Sequence, residues 1–305
     1  MKKDNSLLNP NKQPFDTVPF KDIQTSDFMS AIQFSLQEAV QNIEKITRNP
    51  NPADFSNTIL ALEMSSEKLD RVSTVYFHLF GSESDKDFQA LASQISPILA
   101  NYNNDIMLDK ELFNRVKSVF DQLSSSMKKQ DKKLTEVWYK DFIRNGANLG
   151  EDEKAKLRKL DAELSTLSPQ FQNNNLNATN SYELWLKEED LVGLPEISIN
   201  GAKIDATNKG KPDDWLITLQ MPSFQPFITF SSNRDLRKEI MSAFSRKCNG
   251  DDFDNTSIIK KIVKLKHKRA RLLGFDNFAD YILEKRMAEN QNNIMNFLDD
   301  LYESC

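Results

Sequence analysis

Glycine is scarce in this chain, with 8 among 305 residues. Tight turns and phosphate-cradling loops both depend on glycine's freedom at positive φ, so the shortage argues against a turn-rich all-β fold and against a glycine-rich nucleotide loop. No Walker A, GxGxxG or GxSxG pattern occurs in the sequence. There are two histidines, His78 and His267. Neither has a second histidine or a carboxylate at the spacing of an HExxH helix. His78 sits among Val75, Tyr76, Phe77, Leu79 and Phe80, and His267 sits among Lys266, Lys268 and Arg269, which repel a cation. Both read as packed or solvated side chains, and this chain by itself is expected to bind no zinc and to carry no catalytic residue.

Cysteine is nearly absent too. Cys248 and Cys305 are no disulfide framework, which fits a reducing compartment and a cytoplasmic location. Arg246 and Lys247 precede Cys248 and would favour a thiolate, but a spare thiol near a helix end is the plainer reading. Positive charge is in deficit: 40 Lys and Arg against 45 Asp and Glu give a net charge of −5. Nucleic-acid binders draw affinity from neutralising phosphates, so no nucleic-acid partner is expected. No apolar run approaches a membrane span, and the start, MKKDNSLLNPNKQPFD, has two lysines with no apolar stretch behind them. Neither a membrane partner nor a signal peptide is expected. The adjacent acids Asp213-Asp214, Asp251-Asp252 and Asp299-Asp300 read as solvated turn or helix surface.

Helical periodicity fills most of the chain. Residues 1–24 read as an extended N-terminal arm, anchored by Phe15, Val18, Phe20 and Ile23. Residues 25–180 read as a helical lobe. Phe28, Ala31, Ile32, Ala39, Val40, Ile43 and Ile46 recur at three and four, with Ser26 or Asp27 to cap them, and Asn49-Pro50-Asn51-Pro52 stops the helix. One helix is expected from about Ala53 to Gly81 and another over 85–101, with Pro97 kinking or ending it. Leu157, Leu160, Leu164, Leu167 and Phe171 form the clearest stripe, with Pro169 inside it. Residues 181–305 read as a mixed segment: a turn at Leu191–Pro195, a tight turn at Asn200-Gly201, then helices over 233–247, 255–273, 277–287 and from about 291. Ile294, Phe297, Leu298 and Leu301 make an apolar stripe without a partner in the sequence.

One stretch breaks the helical pattern. In Asp213 to Arg237, DDWLITLQMPSFQPFITFSSNRDLR, the residues Trp215, Ile217, Leu219 and Met221 alternate with Leu216, Thr218 and Gln220, the period of a strand. Phe227–Ser231 is a second β-rich run, with Pro222 and Pro226 in the connection, so a β-hairpin over 213–231 is expected. Phe224, Phe227 and Phe230 read either as core or as the side chains of an open strand edge that pairs with a peptide. The basic run Lys260 to Arg271, KKIVKLKHKRAR, reads as the solvated face of a helix that buries Ile259, Ile262, Val263, Ala270 and Leu273.

Four blocks, in order and spacing, resemble the zinc oligopeptidases, the family of peptidyl-dipeptidase, oligopeptidase A and thimet oligopeptidase, with the bacterial peptidyl-dipeptidase branch most similar. They are NTILALEMSSEKLDR (57–71), DFIRNGANL (141–149), the 213–237 stretch and ARLLGFDNFADYILEKRMA (270–288). The resemblance implies a mainly α, two-lobed fold with a channel that admits short unfolded peptides, and an N-terminal helical bundle lobe with one inserted β-hairpin. It implies zinc-dependent cleavage releasing C-terminal dipeptides, with two His and a Glu on zinc and an HExxH glutamate activating water. Those ligands belong to the family's C-terminal half, a catalytic lobe absent from this sequence. Phe224, Gln225 and Phe230 are the residues the resemblance places along the channel. A stand-alone helical domain that binds peptides or a partner is the alternative.

Overall fold

The computed structural model describes residues 5–9, 13–83 and 85–304. Residues 1–4, 10–12, 84 and 305 lie outside the described residues. The chain is mainly α, with one antiparallel pair of short strands. It divides into two compact units, Met1–Thr166 with Lys264–Cys305, and Leu167–Val263.

The first unit opens on two short 3-10 turns, Pro14–Asp16 and Phe20–Asp22, before α1 (Thr25–Thr47). Asp27 closes the start of α1, its carboxylate accepting from the Gln24 N–H at 2.9 Å. Phe28, Ala31, Ile32, Ala39 and Ile46 are buried, as their three-and-four spacing requires. The helix expected over 53–81 is interrupted. A π-helix, Phe55–Leu60, leads into the single turn α2 (Ala61–Glu63), and α3 (Glu67–Ser82) starts afresh. Ser65 Oγ donates to the Leu62 carbonyl at 2.7 Å and Ser66 Oγ to Asp70 at 2.7 Å. Such local hydroxyl bonds offer the backbone an alternative to the helical ladder. Arg115 fixes the break: its guanidinium donates to the carbonyls of Asn49 and Asn51 and to the side chains of Asn57 and Thr58.

Next come α4 (Lys86–Met107), α5 (Lys110–Asp121), α6 (Lys129–Arg144) and α7 (Glu151–Ser181). Helix α4 continues through Pro97, so the expected end there does not occur, and α7 continues through Pro169. The centre of the unit is aromatic. Phe28 meets Tyr76 at 5.4 Å and Phe88 at 5.2 Å edge-on, and Tyr76 stacks on Phe88 at 4.7 Å. The Tyr76 hydroxyl donates to the Phe88 carbonyl at 2.7 Å, in a residue with no solvent exposure. Tyr76→Phe removes that buried hydrogen bond and is expected to cost about 1 kcal/mol, read as a lower urea midpoint at unchanged m-value.

In the second unit, β1 (Leu184–Leu186) pairs antiparallel with β2 (Trp215–Ile217), in the register Leu184↔Ile217, Trp185↔Leu216 and Leu186↔Trp215. The inserted strand pair is therefore present, but not over 213–231. Only the first expected strand forms, and its partner is Leu184–Leu186. Residues Met221–Phe230 are α9, a helix and not a second strand. Pro222 stands in the first turn of α9, where a missing N–H is no loss. Phe224 and Phe227, three apart, share the face buried in this unit's core. Helical packing of those two rings outweighs the β-propensity of the Phe-Ile-Thr-Phe run. The Asn200-Gly201 turn is likewise replaced by helix, α8 (Glu196–Asn208), which buries Ala202 and Ala206. The expected turn at Leu191–Pro195 does form, with the Leu194 N–H donating to the Leu191 carbonyl at 3.0 Å.

Then α10 (Arg234–Arg246) is capped by Asn233, and α11 (Thr256–Leu272), α12 (Phe278–Leu283) and α13 (Gln291–Ser304) follow. In α11 the buried residues are Ile258, Leu265 and Ala270, while Ile259 and Val263, read as core from the sequence, are exposed. On α13, Phe297, Leu298 and Leu301 are exposed.

Candidate functional site

Three of the four sequence blocks that carry the family resemblance lie wholly or partly in elements whose polar side chains interlock or line a groove. In the first unit, the α6 block 141–149 and the α12 block 270–288 meet. Arg144 pairs with Glu284 and donates to the Tyr281 carbonyl at 2.7 Å, with its guanidinium 4.6 Å from the Tyr281 ring. Lys285 pairs with Asp141. Arg269 donates to Asp161 at 2.7 Å and to Asn145 Oδ1 at 3.2 Å. Burial of Arg269 opposes its charge, and Asp161 with Tyr281 outweighs that, so its pKa stands above the ordinary arginine value. This junction joins α6, α7, α11 and α12 and offers no free acid–base pair; its work is positional.

In the second unit, α8, α9 and β2 enclose a groove of about 330 Å³. Ile197, Ile217, Pro226 and Phe227 give it apolar walls, and Ser198, Asp205, Gln220 and Ser223 supply polar groups. The Ser223 hydroxyl accepts from the Thr218 N–H at 3.0 Å, which fixes the first turn of α9 to the end of β2. Gly201, on the α8 side, faces open space, with nothing within 4 Å of where a Cβ would stand. Such a groove suits binding of an extended apolar segment and contains no nucleophile–base pair.

The three residues named from the sequence divide. Phe224 is buried and stacks on Phe244 at 4.3 Å, as part of the unit's core. Gln225 and Phe230 are exposed on α9. The groove instead takes Pro222, Ser223, Pro226 and Phe227 from the same helix. A strand reading puts alternate residues on one face, whereas a helix puts 222, 223, 226 and 227 together. The proline at the helix start was the signal available for that.

His78 and His267 are both exposed. Among the described residues no three His, Cys, Asp or Glu side chains gather closely enough to hold a metal ion. The described residues therefore assemble no zinc centre. Cys248 is buried, and burial, then the Asp251 carboxylate, pushes its thiol pKa up, the opposite of what activates a nucleophile. Of the basic run, Arg269 and Arg271 are paired with Asp161 and Asp276, and Lys266 lies over the Phe278 ring at 4.9 Å. No helix among the described residues is long and apolar enough to cross a membrane.

The profile of peptidase family M3 matches residues 227–305, from within α9 through α13. Dipeptidyl carboxypeptidase of Escherichia coli (strain K12) is 33% identical over 300 residues, 97% of this chain and 44% of that protein. The chain belongs to peptidase family M3. This M3 chain is also 28% identical to oligopeptidase A of Escherichia coli (strain K12), across 97% of its own length and 44% of the relative's. Saccharolysin of Saccharomyces cerevisiae is 26% identical across 83% of the chain and 35% of the relative. The M3 chain thus spans less than half the length of the curated relatives it matches.

Proposed function

We propose that this chain is the N-terminal, scaffold-forming part of a zinc-dependent M3 peptidase that cleaves short unfolded peptides and releases C-terminal dipeptides. The observation that carries the reading is the alignment of 97% of the chain with 44% of a dipeptidyl carboxypeptidase. On this reading zinc and its ligands belong to a catalytic lobe outside these 305 residues, and the chain alone is inactive. The exposed Phe297, Leu298 and Leu301 of α13 are the surface on which that lobe packs. Gln225 and Phe230, exposed on α9, line the peptide channel, and Phe224 holds that helix from behind. The cytoplasm is the compartment this reading implies.

The test has two readouts. The purified chain, dialysed and analysed for metal, is expected to retain far less than one zinc per molecule and to leave short peptides uncleaved. Stoichiometric zinc or hydrolysis by the chain alone overturns the proposal. Intact mass in the native cell then separates it from a stand-alone binding domain: a species much heavier than 35.1 kDa supports the peptidase, and a species of 35.1 kDa supports the binding domain.

A further inference from the structure

The sequence holds three Asn-Gly pairs, Asn145-Gly146, Asn200-Gly201 and Asn249-Gly250. In such a pair the backbone nitrogen after the asparagine can reach the asparagine's own side-chain carbon, because glycine has no Cβ in the way. As sequence the three are alike. They differ in what holds the side chain and the nitrogen. Asn145 is tied down. Its Nδ2 donates to the Asp141 carbonyl at 2.9 Å, and its Oδ1 accepts from Arg269 at 3.2 Å and from the Tyr281 hydroxyl at 3.4 Å. The Gly146 N–H donates to the Ile143 carbonyl at 3.1 Å, and Gly146 is buried. Asn200 is exposed but lies inside α8. There the Gly201 N–H belongs to the helical ladder, and helical ψ keeps it away from the Asn200 side chain.

Asn249 has neither restraint. It and Gly250 are exposed, in the loop that follows α10. The Asn249 side chain has no hydrogen bond among the described residues. The Gly250 N–H donates to no backbone carbonyl among them either. It faces a carboxylate instead: Asp254 is held below the usual carboxylate range by the Thr256 hydroxyl first, then by the Thr256 N–H and the Gly250 N–H. An ionised acceptor therefore stands beside the proton of that nitrogen. Nothing lies within 4 Å of where a Cβ at Gly250 would stand, which leaves room for a ring at this point of the chain.

We propose that Asn249 is a modification site, deamidated through its own backbone, and that the fold protects Asn145 and Asn200 from the same reaction. The Gly250 nitrogen bonds to Asn249 Cγ, the Cγ–Nδ2 bond breaks, and ammonia leaves with the proton the nitrogen gives up. Solvent water then opens the succinimide at either carbonyl and yields aspartate or isoaspartate. Both products put a new carboxylate beside Asp251, Asp252 and Asp254. Isoaspartate also adds a methylene to the main chain, inside a loop whose ends are fixed. The Cys248 carbonyl accepts from the Asn255 N–H at 2.9 Å, and Asp251 accepts from the Cys248 N–H at 2.7 Å. Asn255, 1% exposed, in turn donates to the Phe171 carbonyl of α7 at 3.1 Å. A longer main chain between these anchors has to loosen them.

The full chain, incubated in mildly alkaline water enriched in oxygen-18 and digested afterwards in ordinary water, tests this by mass spectrometry. Trypsin puts the three pairs on separate peptides, and the heavy oxygen marks only what reacted before digestion. Asn249 is expected to lose its amide at least roughly tenfold faster than Asn145 or Asn200, since each of those must first break native hydrogen bonds. Chromatography is expected to resolve the Asn249 product into aspartyl and isoaspartyl forms. In urea the three rates should come together, because only the fold separates them. Gly250→Ala is expected to slow Asn249 by roughly tenfold through the added methyl group. In aged protein the Asn255 amide should exchange faster than in fresh protein. Equal rates in the folded chain, or a lead by Asn145 or Asn200, overturns the proposal. So does an undiminished rate in Gly250→Ala, which would mean that the Gly250 nitrogen is not the attacking group.

Discussion

Gly193→Ala is expected to destabilise the Leu167–Val263 unit by about 3 kcal/mol or more. Gly193 has φ +93°, and a Cβ there would stand 2.4 Å from the Phe230 carbonyl oxygen, 2.7 Å from Ser232 Oγ and 3.1 Å from the Ser232 nitrogen. The hydroxyl can rotate away, but the carbonyl cannot, because the Ser232 N–H donates to the Val192 carbonyl at 2.9 Å and ties the two segments together. Relief requires the end of α9 to move, and α9 carries Phe227 of the groove and Phe224 of the core. Backbone strain at positive φ alone costs roughly 1–3 kcal/mol, and the overlap adds to it. The same chemical change at Gly201 should have the opposite sign. Nothing lies within 4 Å of a Cβ at Gly201, and that residue is inside α8. Helix propensity alone predicts a gain of up to about 1 kcal/mol for Gly201→Ala. Urea denaturation with amide exchange on the β1–α9 segment reads both, and unchanged stability in Gly193→Ala would refute the close approach.

Asp161→Ala is the second large effect, an expected loss of about 3–5 kcal/mol in the first unit. The Arg269 and Asp161 side chains are 14% and 15% exposed, and their contact is 2.7 Å. Removing the carboxylate leaves a largely buried guanidinium with neutral neighbours, Asn145 Oδ1 at 3.2 Å and Tyr281, whose ring lies 5.3 Å away. The penalty belongs to the stranded charge and not to the pair as such, so Asp161→Ala combined with Arg269→Met should recover most of the loss. A double-mutant cycle on thermal or urea unfolding decides this. Additive losses in the double variant would mean that the pair contributes by ordinary packing. The junction also holds Arg144 with Glu284 and Lys285 with Asp141, so the single substitution should loosen the contact of α6 with α12 as well.

Neither effect is legible in the sequence. Asp161 and Arg269 are 108 residues apart, and each reads as one more charge on a helix. Gly193 reads as a turn glycine, while its approach to Phe230 depends on α9 being a helix that ends there. What was legible followed local rules. The spacing of Phe28, Ala31, Ile32, Ala39 and Ile46 placed α1, and Asn233 and Asn277 announced the starts of α10 and α12. The four ordered blocks pointed to the family, which the match to dipeptidyl carboxypeptidase bears out.

The sequence by itself determined that the protein is mainly helical, where most helices lie, which family the chain belongs to and that Trp215–Ile217 is a strand. Those properties follow from local periodicity, capping and the order of short motifs, which a linear chain carries intact. Tertiary structure alone decided the strand's partner, the helix at Met221–Phe230, the helix through Gly201 and the side chains that face the groove. In each of these, two local conformations lay close in energy, and burial of Phe224, Phe227, Ala202 and Ala206 against residues distant in sequence selected one.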